Sequence, residues 1–435
     1  MAATVVELEK LRLLFKQAGT LLTGNAFAGA LGLAAFLATA RHLGAESFGA
    51  LALITTYAVV IDKLLNFQSW QALIKFGASI ATDTANAPNL SRLVSFCLMA
   101  DVASAAVAGV VGLFLAQSVG QFLGWSDAVL AGAGWFCLVV VCNVTGAATG
   151  LLRIAGRYRL LAVHLVLANA FRLIGVVVGV TLDVGIAWFL WVYGISMALG
   201  YAVIVFGGLS VARKWKLEFV TGSRSEIRQY LSFLFWTNAS SALAVPVKHF
   251  DVIVVGAVLN EAAAGQFKVI RQVGQLLGQI SSPLYQAVYP FLSRDAGEGN
   301  SSGSIRLAWR SGLWVALIAL PLALLVSVAG IWWVPSVLGE SYNALVVPLI
   351  VFAVLSALSL GAGTIHPLFL ALGFARETAV ILIFTTPLYL WLLWSLVGAL
   401  GLMGVVIAFG VEFFLVVAIK LLLIQRWRRR GAGLG

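Results

Sequence analysis

One segment of the sequence carries much of its chemistry. Lys268, Gln272, Gln275, Gln279, Ser282 and Gln286 recur at alternating steps of four and three. That spacing sets them along one face of a single helix, with Arg271 just beside the row. On an apolar helix such a row has two uses. It lines water or a polar ligand, or it fastens one helix to another through hydrogen bonds. An equivalent face, 216 residues earlier, holds Thr56, Lys63, Asn66 and Trp70. Lys63 lies near the middle of an apolar run, too deep for its ammonium to reach either edge. It either contacts a ligand or pairs with a carboxylate, Asp101 being the one at hand. A third polar group is Pro246, Lys248, His249 and Asp251. The proline lacks an N–H, so it kinks a helix or frees carbonyls. Lys248 and Asp251 are three apart and share a face. Asp251 lies about as far before the following turn as Arg271 lies after it, so the two are expected to pair across that turn. The deep acids Asp62, Asp101, Asp251 and Glu412 are candidates for ion coupling. A carboxyl removed from water holds its proton more tightly and can exchange it near neutral pH, though each also suits an ion pair.

Other chemistries lack their residues. No phosphate-binding glycine loop, HExxH pair or serine-nucleophile motif occurs, so no catalytic residues and no cofactor are expected. Without a nucleotide site, a self-contained ATP-driven pump is disfavoured. His42, His164, His249 and His366 are scattered, and no metal spacing exists. Cys97, Cys137 and Cys142 lie in apolar stretches and read as small fillers.

The elements that must position these groups are set by composition. Of 435 residues, 61% are hydrophobic and 10% charged. That leaves too few charges for a water-facing surface, since soluble domains carry about 25%. The bilayer is the solvent that suits such a chain. Spans need about 20 apolar residues, and twelve are read at about 18–40, 48–74, 93–115, 128–150, 160–182, 185–208, 230–257, 264–290, 308–330, 344–366, 378–397 and 400–424. The net charge of +11 sits mostly in alternate connections; the connections on the other side hold one basic residue, Arg41. This positive-inside pattern places both termini in the cytoplasm and accounts for the charge without nucleic acid. The N-terminus, mixed in charge and leading into an apolar run of full span length, does not read as a cleaved signal. All connections are short, so no soluble catalytic domain is expected.

An internal repeat sits at about half the length. Leu43–Gly49 matches Leu259–Gly265, Leu123-Gly124 matches Leu338-Gly339, and Gly156–Arg159 matches Gly373–Arg376, at shifts of 215 to 217. Each falls at the same place in its half. Six spans per half is an even number, so the halves enter the membrane the same way round. The expectation is an all-α membrane protein of about 12 helices in two parallel-repeat six-helix lobes, 1–215 and 216–435, around a central cavity.

These landmarks carry a resemblance. Ala40-Arg-His-Leu-Gly-Ala-Glu-Ser-Phe-Gly49 follows the first span. Phe250-Asp-Val-Ile-Val-Val-Gly256 precedes Ala264-Gly-Gln-Phe267. Tyr289-Pro-Phe-Leu-Ser293, Val337-Leu-Gly-Glu-Ser-Tyr342 and Gly156-Arg-Tyr158 complete the set. In that order the chain resembles the oligosaccharide flippases of polysaccharide biosynthesis, in the superfamily that also holds the drug/cation antiporters. Gln266-Phe267 departs from the family, which more often has a tyrosine there. The resemblance implies translocation of a lipid-linked oligosaccharide, usually on undecaprenyl diphosphate, across a bacterial inner membrane by alternating access. Its partners would be that cargo, membrane lipid, a proton or sodium ion, and other polysaccharide-assembly proteins. On this reading Lys63, Lys248, Lys268 and Arg271 hold the diphosphate, with Asn66, Gln272, Gln275 and Gln279 beside them. A drug antiporter of the same fold is the first alternative, though deep cations would repel its cationic ligands. A membrane polysaccharide polymerase is the second; it would need a large external loop or an acidic catalytic motif, and neither is present.

Overall fold

The computed structural model describes residues 2–67, 69–77, 87–220, 222–242, 245–297 and 301–431; the side chains of 2–18, 247–248 and 279–291 are among those outside the description. All regular structure among the described residues is helical. Among the described residues eight stretches are long and apolar enough to cross a bilayer, and the bent pair α4 (Asp127–Val141) and α5 (Gly146–Ile154) makes nine. The twelve expected passes are found in these helices and two more. Gly19–Gly77 scores as one stretch. It holds two passes, because α1 (Ala2–Leu65) is broken at Gly44 (φ 70, ψ 174) and is followed by α2 (Trp70–Gly77). The other two passes are α8 (Arg224–Ala242) with α9 (Asp251–Val258), and α10 (Glu261–Gly297). α10 falls short on apolarity because it carries the polar row singled out above, α8 because of its own polar residues, Arg224, Glu226, Arg228, Gln229 and Asn238 among them, and α9 is eight residues long. The remaining helices are α3 (Ala87–Phe122), α6 (Tyr158–Thr181), α7 (Ile186–Lys214), α11 (Ser301–Trp333), α12 (Val346–Ala362), α13 (Ile365–Ala371), α14 (Ala375–Leu400) and α15 (Leu402–Gly431).

Many large apolar side chains face outward: Phe114, Trp236, Trp332 and Phe384 are 67–76% exposed. Scattered exposed apolar residues are ordinary, but a helical shell of them fits only a hydrocarbon surround.

Packing divides the chain into two units, Met1–Leu43 with Leu53–Val245, and Gly44–Ala52 with Pro246–Gly435. These follow contacts, whereas the 1–215 and 216–435 division follows self-similarity of sequence. The first unit is built on α2, α3, α5, α6, α7 and α8 around a core that includes Leu73, Leu93, Phe96, Leu152, Ile204 and Tyr230. Its α8 opens on a capping box. The Glu226 carboxylate accepts the Ser223 N–H and hydroxyl, each at 2.8 Å. Those two bonds, with Arg92 nearby, hold its pKa below the ordinary carboxylate value. In the second unit α11 packs along α12, and α14 along α15, around Leu292, Ala308, Leu368 and Phe369 and around Leu277, Ala323 and Ala353.

The sequence repeat has a conformational basis. Gly124 and Gly339 both have positive φ, as do Gly156 and Gly373. In the second pair the closing bonds match: Arg157 N–H reaches Leu152 O at 2.8 Å, and Phe374 N–H reaches Phe369 O at 3.0 Å. That is the Schellman closure of a helix, which needs a residue free to turn left-handed. The third landmark marks a contact. A Cβ on Gly49 would lie 1.7 Å from Glu261 O, and one on Gly265 would lie 2.4 Å from Ala45 O. Within the second unit, repeat-related glycines therefore let two helix backbones touch, as small residues do where lipid offers no other drive for association.

Candidate functional site

Two polar clusters stand out, one in each unit. In the first, both helical passes involved are interrupted: α1 stops at Leu65 before α2, and α4 stops at Val141 before α5. Interrupted helices leave backbone groups that only a polar surround can satisfy. Asn66, in the first break, donates to Asp62 Oδ1 at 2.9 Å and to Asn143 O at 3.0 Å, and accepts from the Ser104 hydroxyl at 3.0 Å. Asn143, in the second break, donates to the same Asp62 Oδ1 at 2.8 Å and accepts from Thr145 at 2.7 Å. Asp62 is thus held by two amides. Lys63 Nζ lies 3.8 Å from the other Asp62 oxygen, with its side chain 45% exposed.

The pairing of Lys63 with Asp101 is not found; Lys63 is beside Asp62. Asp101 is 1% exposed and accepts the Ala147 N–H at 2.6 Å, in the first turn of α5. A helix N-terminus presents free N–H groups and the positive end of its dipole, so the carboxylate needs no lysine there. Trp70 is also engaged: the Arg153 guanidinium lies 4.1 Å over its ring. Beside this cluster Leu64, Phe67, Met99, Ser104, Phe235 and Asn238 line a cleft of about 720 Å³.

In the second unit the chain after α8 passes through a π-helix, Pro246–Phe250, into α9. The expected disturbance at Pro246 is this widened turn. Asp251, 1% exposed, forms the expected ion pair with Arg271 of α10 and accepts the Val252 N–H at 2.9 Å. Lys268, one turn before Arg271, is within electrostatic reach of both partners. Gln272 is half-buried and Gln275 exposed. The side chains of Lys248, Gln279, Ser282 and Gln286 lie outside the described residues. Glu412 of α15 is half-buried, and among the described residues no cation lies within 4 Å of it. The structure thus gathers Asp62, Lys63 and Asn66 in one cluster, with Asp101 close by, and Asp251, Lys268 and Arg271 in the other.

Sequence reasoning missed several partners. Asn143, Ser104 and Thr145 complete the first cluster. Tyr389 of α14, 1% exposed, sits within electrostatic reach of Asp251, Arg271 and Glu412. Its one sequence signal is the neighbouring Pro387 inside the helix. Chemically, acids and cations on broken helices can hold a polar anionic group and can exchange protons. No group of three metal-ligating side chains occurs among the described residues.

Compared with known proteins, residues 14–295 match a family model described as polysaccharide biosynthesis protein. The chain is similar to the inner membrane protein YghQ of Escherichia coli (strain K12), 27% identical over 337 residues that cover 76% of this chain and 94% of that one. Among solved structures it is similar to the inward-facing conformation of a multidrug resistance MATE family transporter of the MOP superfamily. There the TM-score is 0.70 and the identity 16%, over 92% of this chain and 96% of that one. It is also similar to the Vibrio cholerae MATE transporter VcmN in the bent form, with TM-score 0.56 and 17% identity over 96% and 97% of the two chains. A MOP superfamily transporter from Pyrococcus furiosus gives 0.57 and 17% over 96% and 95%. At these identities the likeness establishes the fold, an all-helical membrane protein of two lobes.

Proposed function

This chain belongs to the polysaccharide biosynthesis protein family, and from that membership we propose that it moves a lipid-linked oligosaccharide across the bacterial inner membrane. It is a transporter and not an enzyme on this reading, with both termini on the cytoplasmic side. The cargo is a glycan on undecaprenyl diphosphate, carried by alternating access as the twofold repeat of the sequence suggests. Other polysaccharide-assembly proteins would supply and receive it.

The observation that carries the proposal is Lys63. An ammonium within an apolar span, 45% exposed and held to Asp62 only at 3.8 Å, is presented and not buried. Charge so placed faces water or a ligand of opposite sign. Lys248, Lys268 and Arg271 are its proposed counterparts in the second unit, with Gln272, Gln275 and Gln279 meeting sugar hydroxyls. Asn66, bonded on every side, holds Asp62 and so positions Lys63.

The test is flipping of a lipid-linked glycan in proteoliposomes. Lys63→Ala should slow it about 10- to 100-fold, the worth of one charge-assisted phosphate contact, while Lys63→Arg retains most activity. An unchanged rate in Lys63→Ala removes the reading. The antiporter reading predicts the opposite sign, since losing Lys63 would ease binding of a cationic drug.

Asp62, Asp101, Asp251 and Glu412 are the proposed coupling groups, exchanging a proton or sodium ion. The first three are held by amides or by Arg271, which leaves Glu412 best placed to change its charge. Glu412→Gln should transport in the absence of a gradient yet lose its response to an imposed pH gradient. A variant that still responds assigns coupling elsewhere.

A further inference from the structure

On α11, Ile305, Ala308, Trp309, Gly312, Leu313 and Ala316 recur at helical spacing and form one face. That face meets α12, α13 and α15 in a groove of about 250 Å³, all within the second unit. Its floor exists because small residues bring α11 and α12 together. A Cβ on Gly312 would lie 2.4 Å from Gly361 O, and one on Gly361 would lie 2.8 Å from Ala316 Cβ. Its walls are larger and open to the surround, Trp309 and Leu313 being 56% and 61% exposed. The polar side chain in the lining is spoken for, since the Thr364 hydroxyl donates to Ala308 O at 2.9 Å. Such a groove offers a ligand contact area and, apart from the Trp309 indole N–H, no hydrogen bond.

One end of the groove is different. Arg306 and Arg310 follow Ile305 and Trp309 on the exposed flank of α11. On α15 the lining row Val417, Leu421 and Ile424 continues, one turn on, to the exposed Arg428. Among the described residues no carboxylate lies within 4 Å of these three guanidinium groups. Arginines match phosphate oxygens through paired N–H donors. We propose that this groove seats the polyisoprenoid chain of the cargo lipid, with its phosphates at the arginine end in a loading state that precedes their contact with Lys63. The proposal rests on the translocation reading above and assigns the tail of the same substrate to its own site. Two features favour a single-chain carrier over a two-tailed phospholipid. The volume is below the ~300–1,000 Å³ usual for ligand pockets, enough for one chain segment. Exposed arginines flanking the lining residues Ile305, Trp309 and Ile424 suit a diphosphate better than one phosphodiester.

The experiment uses the full chain in nanodiscs of phosphatidylethanolamine and phosphatidylglycerol, with undecaprenyl diphosphate carrying a photoactivatable diazirine on its chain. Cross-links should concentrate in 305–316, 358–368 and 417–424. Excess unlabelled undecaprenyl diphosphate should compete them away, and added phosphatidylglycerol should not. Filling the groove by Leu313→Trp with Val417→Phe should reduce competed labelling about tenfold. Should that variant fold poorly, Arg306→Gln, Arg310→Gln and Arg428→Gln together leave the packing untouched and should give a similar loss. Labelling spread evenly over the lipid-facing helices, or competed equally by phosphatidylglycerol, overturns the proposal. Flipping measured on the same samples separates the two readings. A protein that flips its cargo with even labelling loses only the groove. One with competed groove labelling and no flipping keeps the groove and loses translocation.

Discussion

Gly49→Val should leave almost no folded protein. The first atom of any side chain there would sit 1.7 Å from the Glu261 carbonyl oxygen and 2.5 Å from its carbon. Those are backbone atoms inside a helix, so no rotamer change relieves the overlap. Over-packing usually costs about 1–3 kcal/mol, and a clash against backbone belongs above that range. Gly265→Val should behave the same way, because its Cβ would meet Ala45 O at 2.4 Å and Gly49 N at 2.9 Å. Gly278, on the same helix as Gly265, is the matched control, since a methyl added there would meet nothing within 4 Å. Gly278→Ala should fold at least as well as the parent, since alanine favours helix by about 1 kcal/mol. Monodisperse yield on size exclusion and the thermal midpoint measure all three. A Gly49→Val protein with parental yield would mean that the two helices do not touch there.

Arg271→Ala should destabilise the protein by about 3–5 kcal/mol, the penalty for stranding a buried charge. Its partner Asp251 is 1% exposed. Asp251→Asn should be milder, because the amide is neutral and can still accept the Val252 N–H. The double variant Asp251→Asn with Arg271→Gln should recover much of what Arg271→Ala loses, giving a coupling energy above ~1 kcal/mol. Chemical denaturation in detergent supplies the numbers. Strict additivity of the two positions would show that the pair contributes nothing as a pair. The same variants separate structure from transport, since one that regains stability without transport assigns the guanidinium to the cargo.

The Asp251–Arg271 pair is legible in sequence because it depends only on distance from a turn, which counting along two helices supplies. Pro246 is legible because a missing N–H acts locally. The repeat glycines are visible as letters, although their left-handed turns and the Gly49–Gly265 contact emerge only from the fold. Asp101 escapes sequence reasoning for a physical reason. Its partners are backbone amides at the start of α5, with Ser69, and the apolar run Trp135–Val141 leading into the break at 142–145 does not announce that a helix starts afresh there. Spacing sets Asn66 and Trp70 on one helical face, but the helix ends at Leu65 and restarts at Trp70, and periodicity does not name the neighbour that Asn143 or Arg153 provides. Tyr389 is missed because one phenol in an apolar run looks like any aromatic filler until three charged groups are seen around it.

The placement of Gly44–Ala52 with the second unit bears on biogenesis. During synthesis this stretch leaves the ribosome roughly 200 residues ahead of the helix it packs against, at the slow pace of chain elongation. Until then Gly49 has no backbone to lie on, so the later half cannot reach its final packing without a piece made long before. An N-terminal half produced alone would carry an orphaned stretch, and a C-terminal half produced alone would lack one. Two separately expressed fragments should therefore be poorly accumulated singly and rescue each other when made together.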